Sequence, residues 1–167
     1  IPNGISYNSY IIIDKKIAII DSVDKRKTND WLDNIEKELN GKIPNYLIIS
    51  HLEPDHSSSI DKLLEKYPNI KIVGNSKTFS MIPQFFLFIN IEELKYEVKE
   101  GDVLDLGYTK LHFIMAPMIH WPEVMMEYDE NSKTFFSADA FGKFGAIDTE
   151  EEWDCEARRY YFNIVGK

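Results

Sequence analysis

The chain has 167 residues, of which 28 are acidic and 19 are Lys or Arg, so its formal net charge is −9. Its length corresponds to one domain, and its 44% share of hydrophobic residues is typical of a folded protein rather than a disordered one. A single cysteine excludes an internal disulfide, and no apolar run reaches the roughly 18 residues of a membrane-spanning helix. The acidic balance argues against nucleic acid as the main partner, since phosphate binding requires clustered Lys and Arg.

Both ends indicate that the sequence is a piece of a longer protein. The chain opens at Ile1 without a methionine and closes, at 164–167, directly after a helical pattern. It has neither the basic start of a signal peptide nor a disulfide framework. We therefore expect residues 1–167 to be the N-terminal part of one domain of a cytoplasmic protein that has no contact with a membrane.

The first half of the chain alternates predicted strands with predicted helices. Short β-branched and apolar runs predict strands, whereas apolar residues at helical spacing predict helices. The predicted strands cover residues 8–13, 17–20, 46–49 and 70–73. The predicted helices cover 28–40, about 58–67 and 76–82. Ser58 and Asp61 have the spacing of a capping box for the second of these helices.

In the second half, predicted strands follow one another directly. Alternating residues around two glycines predict two or three antiparallel strands between 97 and 115. A hairpin is predicted from 124–128 and 134–137, and a final helix from about 150 to 165. Strands that first alternate with helices and later form hairpins predict an α/β layered domain with mixed sheets. Ligands of such sheets usually bind at the carboxyl ends of strands.

A cluster of metal-ligating residue types follows the strand predicted over 46–49. Two histidines flank two carboxylates within six residues, in the order His51, Glu53, Asp55 and His56. In an extended loop the first three of these would point to one side, and a turn at 54–55 would redirect His56. One short loop would then supply two adjacent metal ions. Imidazole with carboxylate suits iron, manganese or zinc rather than calcium.

Two further candidates lie at the ends of predicted strands, namely His120 and Asp139. A carboxylate can bridge two cations about 3.5–4 Å apart, and Asp139 is the candidate for that role. Structural interpretations stay open: the loop as a charged turn, His120 as a solvated histidine and Asp139 as a helix cap. His112, on an alternating strand, is interpreted as structural, and Cys155, in a helical pattern, as a packing or surface residue.

The loop from His51 to His56 resembles the metal loop of the flavodiiron proteins, which are A-type flavoproteins. The resemblance covers essentially the whole chain. The other segments that resemble the family are Tyr7-Asn8-Ser9-Tyr10, His120-Trp121-Pro122, Ser137-Ala138-Asp139-Ala140-Phe141-Gly142 and Glu156-Ala157-Arg158-Arg159-Tyr160-Tyr161. The resemblance implies that the chain forms a metallo-β-lactamase-like αββα sandwich that is incomplete at its C-terminal end. It also implies that the chain lacks the flavodoxin-like domain that binds FMN.

The resemblance also implies a ligand set for two iron ions. The ligands would be His51, Glu53 and His120 on one iron, Asp55 and His56 on the other, and Asp139 between them. Some members of the family leave the imidazole corresponding to His56 off the metal. The family uses one more histidine on the second iron, whereas the histidines of this chain end at position 120. The second site is therefore expected to be incomplete here.

The family reduces O2 to water, or NO to nitrous oxide, at this dinuclear non-haem iron site. The resemblance implies such an oxidoreductase, with an electron-donor protein such as rubredoxin as partner. Trp121 would lie near the FMN of the neighbouring subunit in a head-to-tail homodimer. Apart from the resemblance, Glu53 adds a hard oxygen donor that favours iron over zinc. The alternatives are a binuclear zinc hydrolase of the metallo-β-lactamase superfamily and an inactive metal-binding fragment.

Overall fold

The computed structural model describes residues 4–86, 90–145 and 152–165, which form two β-sheets. Sheet A contains, in spatial order, β1 (Tyr10–Ile13), β2 (Ile17–Ile20), β3 (Tyr46–Ile48), β4 (Lys71–Gly74) and β5 (Lys95–Glu97). Sheet B contains β6 (Val103–Asp105), β7 (Lys110–Met115), β8 (Met125–Asp129) and β9 (Thr134–Phe136). Neighbouring strands of sheet B are antiparallel, as predicted for its hairpins.

Helices connect and cover the two sheets. The helices are α1 (Thr28–Leu39), α2 (Pro54–Ser57), α3 (Ile60–Lys66), α4 (Ser76–Phe85), α5 (Ile91–Leu94) and α6 (Trp153–Tyr160). A 3₁₀ turn (Lys25–Lys27) precedes α1, and a π-helical turn (Tyr161–Val165) continues α6. Among the residues that the structure describes, no helix combines the length and the apolar character that crossing a bilayer would require.

The two faces of β2, both buried, show the layer order. Ile17 and Ile19 pack in the core between sheet A and helices α1, α3 and α4. Ala18 and Ile20, on the opposite face, pack with Phe113 of sheet B in a second core between the two sheets. Such a strand, buried on both faces, reads as a continuous apolar run rather than an alternating one.

Helix α6 lies along the outer face of sheet B. An apolar groove of about 880 Å³ separates them, lined on the sheet side by Ile114, Met126 and Phe135, and on the helix side by Ala157 and Tyr161. The layers are therefore helices, sheet A, sheet B and helix. This order confirms the αββα architecture predicted from the sequence.

Strand β5 lies almost entirely before the strands predicted within 97–115 and pairs parallel with β4 in sheet A. The two strands observed within 97–115, β6 and β7, are antiparallel, as predicted. Two local predictions differ from the structure. Helix α4 continues through Pro83, whose ring lies on the exposed side, and ends at Phe85. The predicted capping box is wrong, because the Ser58 hydroxyl donates to the Pro54 carbonyl and α3 begins only at Ile60.

The core between the sheets yields a stability prediction. Phe113 on β7 is fully buried, whereas its neighbour Ile114 is 38% exposed. Truncation of a buried phenylalanine removes apolar contact and leaves a cavity, at a cost of about 3–5 kcal/mol. We expect Phe113→Ala to lower the free energy of unfolding by that amount in urea titrations. Ile114→Ala is the matched control on the same strand, and an equal loss in both variants would contradict this account.

Candidate metal centre

Ligating side chains from both sheets meet at one edge of the sandwich. Strands β2, β3 and β4 are parallel, so their carboxyl ends share this edge. His51 follows β3, while the segment between β7 and β8 supplies His120, and Asp139 follows β9. A hydrogen bond of 3.0 Å from the Met125 N–H to the Ser50 carbonyl joins sheet B to the end of β3 at this point.

Four of the predicted ligands form one compact group. His51, Glu53, His120 and Asp139 each offer one ligand atom, and these atoms all lie within 4.8 Å of one another. His120 Nε2 lies 2.9 Å from Glu53 Oε2 and 3.1 Å from Asp139 Oδ2. His51 Nε2 lies 3.3 Å from Glu53 Oε2. Two imidazoles and two carboxylates directed at one point form a donor set that suits a transition-metal ion.

Asp139 presents its two oxygens to different histidines. Its Oδ2 faces His120 at 3.1 Å and His51 at 3.6 Å, whereas its Oδ1 lies 2.9 Å from Nε2 of His56. Asp55 lies beside His56, with 4.0 Å between Oδ2 and Nε2. The buried Oδ1 of Asp55 has no hydrogen-bond partner among the described residues. A carboxylate with a separate nitrogen donor at each oxygen has the arrangement of a bridge between two metal ions.

The segment that carries four of these residues is not extended throughout. Helix α2 begins at Pro54, a favourable residue for the first helical position. The predicted reversal at 54–55 is therefore a helical turn. This turn places Asp55 and His56 on one side of Asp139, whereas Glu53, before the helix, lies with His120 on the other.

Two buried carboxylates that the sequence analysis missed orient the histidines. Glu123 Oε1 lies 2.8 Å from Nδ1 of His51, and Asp21 Oδ2 lies 3.0 Å from Nδ1 of His56. In both rings Nε2 is thereby left to face the site, as in metal centres whose histidines are held by a carboxylate. Asp21 follows the carboxyl end of β2 next to β3, so the rule for strand ends would have found it.

The contacts of the site shift the pKa of its groups in opposite directions. Burial opposes protonation of His51, but hydrogen bonds with Glu123 and Glu53 outweigh it and raise its pKa to about 9. The hydrogen bond with His51 holds the pKa of Glu53 below its ordinary value, despite partial burial. Burial raises the pKa of Asp55. Without metal, the site therefore holds protonated His51 and His56 rings beside carboxylates, and a bound cation would replace those protons.

Tyr160 on α6 closes the site from the outer layer. Burial raises its pKa, and the charges of Asp139, Asp55 and Glu53 raise it further, so the phenol stays neutral. Its interaction with the Asp139 side chain also raises this pKa. The ring passes so close to Gly142 that a Cβ there would lie 3.1 Å from Tyr160 Cε1. Tyr160 belongs to one of the segments that resemble the flavodiiron proteins, but no pattern in the sequence assigns it a role.

The remaining candidates lie beside or outside this group. The half-buried Trp121 ring packs edge-on against His51, with ring centres 5.2 Å apart, and lies 6.1 Å from the ring of Phe85. His112 instead pairs with Glu130 at 2.9 Å, in agreement with its structural interpretation. Cys155 is exposed, as predicted for a surface residue.

Comparison with known proteins identifies the family. The model of the ODP family beta lactamase matches residues 5–163. The chain belongs to this family. The resemblance of the His51–His56 loop and of the segments after the strands predicted that this chain is a member of a metallo-β-lactamase-like family. The match confirms that prediction.

Similar proteins of known name are flavodiiron proteins or their relatives. The anaerobic nitric oxide reductase flavorubredoxin of Aliivibrio fischeri is 36% identical over 97% of this chain and 34% of its own length. The rubredoxin oxygen:oxidoreductase of Desulfovibrio gigas superposes with a TM-score of 0.90 at 29% identity, over 98% of this chain and 42% of its own. The flavodiiron protein of Giardia intestinalis superposes with a TM-score of 0.87 at 28% identity, over 99% and 42%. The chain thus spans well under half the length of each.

The raised pKa of His51 predicts how the stability of the metal-free protein depends on pH. Because this pKa rises from 6.5 to about 9 on folding, the stabilisation is fully present below pH 6.5 and is lost as the pH rises through 9. The free energy of unfolding should fall by an amount on the order of 3 kcal/mol over this range, at about 1.4 kcal/mol per pKa unit. Urea titrations after chelation measure the fall.

His51→Gln supplies the comparison for this measurement. It removes the titrating ring, so the decline between neutral and alkaline pH should become shallower. An NMR titration of the His51 ring in the unsubstituted protein gives the same information without a variant. A ring that titrates near its ordinary pKa would contradict the hydrogen-bond geometry described above.

Proposed function

We propose that the chain is the N-terminal part of the diiron domain of an oxidoreductase that reduces a diatomic gas, O2 or NO. The observation that carries this proposal is the position of Asp139, whose two oxygens face different histidines on opposite sides. This arrangement supports two metal positions that share one carboxylate. The family and the similarity to a nitric oxide reductase and to an oxygen:oxidoreductase support the same reaction class.

The residues fit two iron ions in the following way. His51, Glu53 and His120 would hold one ion, Asp55 and His56 the other, and Asp139 both. The unpartnered, buried Oδ1 of Asp55 supports a cation at the second position, because a buried carboxylate oxygen without a donor is costly. When bound, two iron ions would supply electrons one at a time and open positions for a diatomic gas.

The surrounding side chains prepare the site for that chemistry. Glu123 and Asp21 hold the imidazoles of His51 and His56 so that Nε2 of each faces the site. Reduction of O2 or NO consumes protons, and the neutral Tyr160 phenol holds a proton beside Asp139. Trp121 against His51 limits access of water from its side.

The electron source belongs to the proposal as well. FMN would reach the site from the flavodoxin-like domain of a partner subunit in a head-to-tail homodimer, on the side of Trp121. A small donor such as rubredoxin would reduce the flavin, in a cytoplasmic protein. The name of the Desulfovibrio gigas protein is consistent with that donor, since it couples rubredoxin to oxygen.

A binuclear zinc hydrolase is the second candidate, favoured by the beta-lactamase description of the family. It would activate a metal-bound water with a pKa near 7. Glu53 argues against a zinc hydrolase, because with it the group of four candidate ligands contains as many carboxylates as imidazoles. Zinc hydrolases more often use histidine-rich sites.

The decisive experiment measures metal content and turnover on the same preparation. The full-length protein is loaded anaerobically with Fe(II) and, separately, with Zn(II). We expect about two metal ions per chain, and consumption of O2 or NO only by the iron form with reduced FMN. Ester or lactam hydrolysis by the zinc form, with no gas consumption by the iron form, would overturn the proposal.

Asp139→Ala tests the shared carboxylate. Because both positions lose a ligand at once, affinity for Fe(II) should fall at least about 100-fold at both, more than the 10–100-fold typical of outer partners of a metal ligand. Asp33→Ala, an exposed acid on α1, is the matched control and should bind metal normally. A variant that retains two tightly bound ions would remove the bridge from the proposal.

Glu53→His tests the choice of metal. A third imidazole in place of a carboxylate removes negative charge and shifts the donor set towards that of zinc sites. Under competition between equal Fe(II) and Zn(II), we expect the zinc share of bound metal to increase several-fold. If the iron share stays unchanged, Glu53 does not select the metal.

A further inference from the structure

A buried acid on β8 takes no part in the ligand group. Glu127 is fully buried in the interior face of sheet B, on the same face of the strand as Met125. Its Oε2 accepts a hydrogen bond from the Ser50 hydroxyl at 3.1 Å. Its Oε1 has no hydrogen-bond partner among the described residues. An acid buried in this way costs free energy, so its presence calls for a reason.

The contacts of Ser50 connect this acid to the candidate metal centre. The Ser50 N–H donates to Oδ1 of Asp21 at 2.7 Å, and Oδ2 of Asp21 lies 3.0 Å from Nδ1 of His56. Nε2 of the same ring faces Asp139 at 2.9 Å. All of these groups are buried, so a displacement of Ser50 has no solvent to absorb it. The Ser50 hydroxyl is thus bound to Glu127, and the Ser50 N–H is bound to Asp21.

The surroundings of Glu127 favour its neutral form. Burial raises the pKa of its carboxyl well above the ordinary range, and the nearby charge of Asp21 raises it further. A neutral acid can bond to a hydroxyl without adding another negative charge behind His56. Glutamine has the same shape and the same capacity for that bond.

We propose that Glu127 is a positioning residue for the metal centre: its hydrogen bond fixes Ser50, and through Ser50 and Asp21 it fixes the ring of His56. This inference deepens the proposed function and rests on it. It concerns residues of this chain alone and does not depend on which gas is reduced.

The experiment measures Co(II) binding by anaerobic titration of the full-length protein and its variants. Glu127→Leu should weaken Co(II) binding about 10–100-fold at the position of Asp55 and His56, the range for partners that orient metal ligands. Glu127→Gln should restore affinity to within about threefold of the unsubstituted protein. Met125→Leu, a buried change on the same face of β8, is the control for general damage to the core and should leave affinity unchanged.

Ser50→Ala completes the design. If both residues act through one connection, the double variant Ser50→Ala with Glu127→Leu should bind no more weakly than the poorer single variant. NMR of the His56 ring in the metal-free variants reports its orientation without any metal. Additive losses, a Glu127→Gln variant as weak as Glu127→Leu, or equal affinity in all variants would overturn the inference.

The outcomes also separate this inference from the proposed function. If the unsubstituted protein binds no Co(II), the metal centre itself is wrong. If it binds two ions and Glu127→Leu binds them equally well, only the role of Glu127 is wrong.

Discussion

Negative charge concentrated in a small buried volume is the constraint on which this structure depends. Glu53, Asp55 and Asp139 converge at one edge of the sandwich, with Asp21 and Glu123 directly behind them. Such a group cannot remain ionised in the interior without positive charge nearby. His51 and His56, whose pKa values are raised, supply it in the metal-free protein, and bound cations would replace their protons. The same electrostatic requirement explains the unpartnered oxygen of Asp55 and the neutral state of Tyr160.

Both sheets are needed to bring the candidate ligands together. The parallel strands of sheet A deliver His51 and Asp21 to their shared carboxyl edge, and the hairpins of sheet B deliver His120 and Asp139 to the same place. Residues distant in sequence thus meet without a long loop. Rigid strands hold their ends in place, which favours a site that must keep several donors within hydrogen-bond distance of one another.

Much of this arrangement could be predicted from the sequence, because the decisive signals are local. The ligand candidates follow strands, and the apolar run of β3 marks where one of them ends. The pairing of β5 with β4 could not be predicted from the sequence, since a three-residue strand carries no information about which sheet it joins. Glu123 was missed for a different reason: an orienting carboxylate is defined by the ring it contacts, and no spacing in the chain encodes that contact. Asp21 was within reach, because it follows the carboxyl end of β2.

The main-chain hydrogen bond between Met125 and Ser50 also couples strand pairing to chemistry. Side chains alternate along β8, so sliding this strand by one residue against its neighbours would turn Glu127 out of the interior. Correct registration of one ordinary β-strand is therefore a precondition for assembling the centre. Misfolded chains that pair β8 wrongly would be unable to load metal, which would make metal uptake itself a check on folding.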